Sequence, residues 1–265
     1  MVAAACAQPP SADLPATAPA PPTPAAFDLS GTLVGVLDGD TVEVETDTGR
    51  VRIRLAGINA PEGAECYGDV ASAYLERLTP GPVGAEVVGT DQFGRTLAYL
   101  WVRDIQLNLD MVARGLALAT TPEDQDPYGP SLLYAEEEAY GSRLGLWSPD
   151  ACGSGPLPEL RFVPEASVFD PPGPDDRVLA AEQIVVVNRG DEPVEMTGWV
   201  LRDESSRHRY RFPRGLILGR GYIFVVSSDL SGWDPGGSPV WNNTGDMALL
   251  LDPTGRVVAR WRYGP

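Results

Sequence analysis

The stretch LDGDTVEVETDTGRVRIRLAGINAPE, residues 37–62, decides how the first half of this chain is read. Thr41–Glu45 and Val51–Leu55 are β-like runs separated by the turn sequence Asp47-Thr48-Gly49-Arg50, so together they read as a hairpin. In the second run Val51, Ile53 and Leu55 fall on one face and Arg52 and Arg54 on the other, the period-two pattern of a half-buried strand. Acidic and amide residues flank the pair: Asp38 and Asp40 before it, Asn59 and Glu62 after it. That layout suits a metal ion and a phosphate. Farther along, Asp91-Gln92-Phe93-Gly94-Arg95 leads into another strand-like run, Thr96–Val102.

Five separated motifs, DGDTV, RIRLAGINAPE, DQFGRTLAYLWV, NLDMVARGLA and AEEEAYGSRLGLW, stand in the order and spacing of the staphylococcal nuclease-like (thermonuclease) family. The chain resembles that family over roughly residues 30–150. The resemblance implies an α+β OB-fold β-barrel with three helices. It also implies a calcium-dependent nuclease that hydrolyses DNA and RNA phosphodiester bonds and leaves 3′-phosphates.

By the same resemblance, Asp40 is a calcium ligand, with Asn59 and the backbone carbonyl of Ala60 completing the protein's share. Asn59 stands where the family's best-known member has an aspartate, so it offers a carbonyl oxygen without a charge. A hard, oxygen-liganded cation suits the anionic phosphate. Glu62 matches the general base that activates the attacking water. Arg54 and Arg95 match the two arginines that neutralise the phosphate, a task suited to their planar forks. Asp38 reads as fixing the turn. Taken singly, an alternating strand arginine is ordinarily solvent-facing and a Pro-Glu pair ordinarily caps a helix; the four residues in register argue for a catalytic set. A second reading is an OB barrel that has lost efficient catalysis and only binds.

The net charge of −17 sits awkwardly with a phosphate-binding protein. Residues 27–153 hold 21 Asp and Glu against 8 Arg, whereas residues 182–265 hold 10 of each. The candidate nuclease half is thus the acidic half. All 20 basic residues are arginine. No apolar run is long enough to span a membrane, and the chain is read as a monomer.

Of the three cysteines, Cys66 opens the helix-like segment after Pro61-Glu62, and Cys152 lies just past Trp147, where the first domain should end. They are either two unrelated thiols or a bridge closing a loop of about 87 residues, worth roughly 4 kcal/mol in the chain-entropy model. Cys6 after Val2-Ala3-Ala4-Ala5 resembles the lipid acceptor of a bacterial lipoprotein signal, although the apolar stretch before it is too short for a working signal. The cysteines together predict an extracytoplasmic bacterial location, secreted or lipid-anchored at the cell surface.

The organisation read from composition is a lipobox-like start and Pro/Ala-rich tether over 1–27, the nuclease-like domain over 28–153, a Pro-rich linker over 154–180 and a second domain over 181–265. The second domain reads as all β: 182–188, 200–203, 210–212, 222–226, 247–252 and 257–262, separated by Gly, Pro and Asn turns. The segments VVVNRGDEPVEMTGWVLRD, YRFPRGLILGRGYIFVV and VWNNTGDMALLLDPTGRVVARWRY resemble the lamin-tail domain, an immunoglobulin-like sandwich. Trp199 and Trp241 read as core packing, and His208 as a surface residue. Arg207, Arg209 and Arg211 would share one strand face, opposite Tyr210 and Phe212, and form an anion-binding stripe for nucleic acid or an anionic envelope polymer.

Overall fold

The structure, a computed structural model, describes residues 19, 21–24, 26–91, 93–120, 126–153, 155–173, 179–205, 207–234, 236 and 239–264. Cys6 and most of the tether lie outside the described residues.

In chain order the first domain comprises β1 (Leu29–Val36), β2 (Thr41–Thr46), β3 (Gly49–Leu55), β4 (Ile58–Asn59), α1 (Gly68–Glu76), β5 (Gly81–Thr90), β6 (Thr96–Val102), β7 (Ile105–Gln106), α2 (Leu107–Ala113), β8 (Leu118–Ala119) and α3 (Gly129–Gly141). The expected hairpin is β2–β3, paired from Thr41↔Arg54 to Thr46↔Gly49. Gly49 takes φ +123° at the reversal, a conformation that suits glycine alone. Neighbours run β3-β2-β1-β5-β6, and a parallel pairing of β3 with β6 closes a five-stranded barrel, the OB fold expected. Closure removes the free edges and fills the interior with Leu33, Val42, Val44, Ile53, Leu55 and Leu100. Asn108 of α2 is fully buried yet satisfied: its Oδ1 accepts from the Leu100 N–H, and its Nδ2 donates to the carbonyls of Ala56 and Ala98.

The second domain comprises β9 (Leu160–Phe162), β10 (Gln183–Asn188), β11 (Val194–Glu195), β12 (Val200–Arg202), β13 (Arg209–Arg211), β14 (Ile217–Leu218), β15 (Ile223–Ser227), β16 (Trp233–Asp234), β17 (Asp246–Leu251) and β18 (Val257–Tyr263). Sheets β15-β10-β9 and β16-β13-β12-β17-β18 face each other over a core that includes Trp199 and Trp241, an all-β immunoglobulin-like arrangement. The stretch read as linker is partly structural, because β9, which lies inside it, pairs with β10 of the second domain. The tether also makes a contact: Ser131 Oγ of α3 donates to the Pro19 carbonyl at 3.1 Å.

The domains are joined by a shared core. Along β17, Ala248 and Leu250 enter the sandwich, while Met247, Leu249 and Leu251 pack on Leu118, Ala139, Leu146 and Trp147 of the first domain. This explains why β17 is apolar at consecutive positions: both of its faces are covered. Arg260 and Arg262 of β18 cross the same boundary to Glu136 and Glu137 of α3.

Cys66 and Cys152 form a disulfide with a sequence separation of 86 residues. Replacing both with serine is expected to cost about 2–5 kcal/mol, measured by urea unfolding. A loss below about 1 kcal/mol would show that the bridge does little to limit the unfolded chain.

Candidate active site

Strand pairing assembles the site. Arg54 lies at the end of β3 opposite Thr41, the first residue of β2, so the turn carrying Asp40 and the strand carrying Arg54 meet. Asp38 shapes that turn by accepting from the Asp40 N–H at 3.0 Å, the structural role expected of it. At Gly39 a Cβ would come within 2.7 Å of the Ala60 Cβ and 2.9 Å of the Ala71 Cβ, so only glycine lets the turn press against this loop and α1.

Arg54 is held by four oxygens. Its Nε forms an ion pair with Asp40 Oδ1 at 2.9 Å, while Nη1 donates to the carbonyls of Leu55 at 2.6 Å and Ile58 at 2.8 Å, and Nη2 to Asn59 Oδ1 at 3.2 Å. One Nη2–H is left over for an incoming oxygen. Arg95 is more open, with its side chain 30% exposed. Its Nε pairs with Asp91 Oδ2 at 2.6 Å and its Nη1 donates to Thr41 Oγ1 at 3.3 Å. Thr41 Oγ1 donates in turn to Asp40 Oδ1 at 3.2 Å, so hydrogen bonds and the Asp40–Arg54 ion pair link Arg95, Thr41, Asp40, Arg54 and Asn59.

Asp40 Oδ2 accepts from the Ala60 N–H at 2.9 Å, which places the Ala60 peptide at the same corner. Burial pushes the Asp40 carboxyl up to about 6, against the opposing pull of Arg54 and the Ala60 N–H. Glu62 stands two residues farther along on an exposed loop. It does not cap a helix, since α1 starts after Tyr67.

The residues fit calcium in donor type. Asp40 Oδ1 and Asn59 Oδ1 both bind the one guanidinium of Arg54, so a single cation can engage both oxygens. Asp40, Asn59 and the Ala60 carbonyl would hold it, with one formal negative charge among them. Among the described residues there is no cluster of three or more Asp, Glu, His or Cys for a metal.

The C-terminal arginines differ from the expected stripe. Arg207 and Arg211 are exposed, but Arg209 forms an ion pair with Glu65 of the first domain. His208, expected at the surface, is partly buried: its side chain is 14% exposed and its Nδ1 lies 2.8 Å from Asp203 Oδ2. Sequence reasoning missed Thr41, Glu65 and Glu204. The Glu62–Glu65 spacing was a usable local signal. Glu204, whose carbonyl accepts from Asn59 Nδ2 at 2.9 Å across 145 residues, had none.

Two family descriptions match this chain: Staphylococcal nuclease homologue over residues 52–149 and Lamin Tail Domain over 166–265. Protein ParB of Escherichia coli is 35% identical over 136 residues, covering 48% of this chain and 76% of that protein. The Thermonuclease of Staphylococcus intermedius is 34% identical over 121 residues, covering 42% and 72%. The Micrococcal nuclease of Shigella flexneri is 34% identical over 135 residues, covering 47% and 77%. With the closed barrel, the two family matches and these relatives, the chain belongs to the staphylococcal nuclease family and carries a lamin tail domain behind its nuclease domain.

Proposed function

We propose that this protein is an extracytoplasmic, calcium-dependent nuclease that hydrolyses DNA and RNA phosphodiesters and leaves 3′-phosphates. The observation that carries the reading is the set Arg95–Thr41–Asp40–Arg54–Asn59, joined by hydrogen bonds and one ion pair, beside the exposed Glu62. Phosphodiester hydrolysis asks for a water activated by a base and for positive charge fixed around the phosphoryl oxygens. Glu62, open to solvent, takes the proton of the attacking water. Arg95 and the remaining N–H of Arg54 receive the phosphoryl oxygens, already oriented by their internal partners. Calcium, when bound, would add further fixed positive charge at the phosphate. The disulfide supports an oxidising compartment, and a lipid anchor at Cys6 would accord with that location.

The product ends test the reaction. Digests of DNA and RNA should yield 3′-phosphate and 5′-hydroxyl termini; 5′-phosphate termini would overturn the proposed cleavage direction.

Asn59→Asp tests the metal corner. The added charge should lower the calcium concentration giving half-maximal rate. It also sets a carboxylate oxygen against the Glu204 carbonyl, which now accepts from the amide. A stability loss of about 1–3 kcal/mol is therefore expected in the same variant, read by urea unfolding. An unchanged or higher calcium requirement would remove Asn59 from the ligand set.

A further inference from the structure

Between Asn59 and the start of α1 at Gly68, the chain carrying Ala60 and Glu62 forms neither helix nor strand. Within the first domain this loop is held by the Ala60 N–H on Asp40 and by its own turn, in which the Glu65 N–H donates to the Glu62 carbonyl at 2.7 Å. The Cys66–Cys152 disulfide and the Arg54 contact on Asn59 Oδ1 also tie it to the first domain, and further restraints come from the second domain. The Glu204 carbonyl accepts from Asn59 Nδ2 at 2.9 Å. Arg209 binds Glu65 through Oε1, and the other oxygen of that carboxylate, Oε2, accepts from the Glu62 N–H at 3.0 Å. Gly255 rests against Cys66 at the end of the loop, so closely that a Cβ there would come within 3.0 Å of the cysteine Cβ.

We propose that the lamin tail domain is a positioning element of the nuclease site: Arg209, acting through Glu65, fixes the backbone at Glu62, and the Glu204 carbonyl fixes the amide of Asn59. The inference rests on the nuclease reading above and assigns the second domain a part in the same site. The physical case lies in the two oxygens of Glu65. One is engaged by a guanidinium and the other by the amide of the candidate base, and a charge-assisted contact on the first limits the rotamers available to the second. Without Arg209, Glu65 loses the contact that fixes its rotamer and keeps only the electrostatic attraction of buried Arg202.

The supporting elements are themselves rigid. Arg209 stands opposite Arg202 in the β12–β13 ladder. Glu204 is anchored by its N–H on Asp246 Oδ1 at 3.2 Å and by Arg262 Nη1 on its Oε2 at 3.0 Å. Part of the loop's position is thus set by the second domain, beside the loop's own turn and the Cys66–Cys152 disulfide. This differs from a free anion-binding stripe, which would alter substrate affinity and leave turnover alone.

The test is kinetic and uses the full chain. Arg209→Gln should lower kcat about 10- to 100-fold, the range expected when a catalytic group loses its position, with KM nearly unchanged. Arg209→Lys, which keeps the charge, should recover most of that loss. Glu65→Gln should reproduce it, and the double variant should be no slower than Glu65→Gln alone, because both changes break one relay. Hydrogen exchange at the Glu62 amide should quicken in Arg209→Gln. Wild-type kcat in Arg209→Gln, or a raised KM with kcat intact, would overturn the proposal. Should the wild-type chain prove inactive on nucleic acid, the nuclease reading falls, and unaltered exchange at residue 62 in Arg209→Gln would overturn the clamp by itself.

Discussion

Glu62→Gln is expected to lower the rate of nucleic-acid hydrolysis by about 10²-fold or more, the scale on which a general base contributes. The change preserves the size of the side chain and leaves the backbone N–H on Glu65, so the loop keeps its shape. It removes only the ability to accept a proton from water. Burial is not at issue, since Glu62 is exposed, and stability should move by no more than about 0.5 kcal/mol. The check is initial rates on one substrate at saturating calcium, with urea unfolding of the same preparation. A variant that digests as fast as the wild type would show that some other group, or water alone, serves as base.

The second large effect is on stability. Arg262→Met should cost about 3–5 kcal/mol, because it strips compensation from buried carboxylates instead of removing a surface pair. Glu136 and Glu204 are 1% and 6% exposed, and Arg262 contacts both at 3.0 Å while also donating to the Ala119 carbonyl at 2.7 Å. Arg260 still reaches Glu136 at 3.3 Å, which keeps the penalty at the lower end of that range. Urea unfolding measures it; a loss under about 1 kcal/mol would mean that water reaches these carboxylates and solvates them. The consequence should extend to the site. Ala119 belongs to β8, which pairs with β4 through Ile58↔Ala119 and Asn59↔Leu118, so the network lies one strand away from a candidate metal ligand.

How much of this was legible depended on the range of each interaction. The hairpin and six of the seven second-domain strands longer than two residues follow from alternation and turn residues and fall within a residue or two of the observed bounds; the seventh, β9, lies in the stretch read as linker. Asp40, Arg54, Asn59 and Arg95 were grouped only through the family resemblance of the motifs that carry them, and the β2–β3 pairing and barrel closure bring their strand ends together in the structure. The strands β11, β14 and β16 have two residues each, too few for any period to show. Domain docking was illegible for a different reason. Met247, Leu249 and Leu251 announce a strand covered on both faces without naming the cover. Arg209 has the same sequence signature whether it points to solvent or to Glu65; the docking of one domain on the other decides it.

The central claim is calcium-dependent phosphodiester hydrolysis, and the most direct measurement is the degradation of DNA and RNA by the purified full chain in calcium and in EDTA. The account predicts digestion in calcium, arrest in EDTA and recovery when calcium is restored. Equal digestion in EDTA, or intact nucleic acid at saturating calcium, would contradict it.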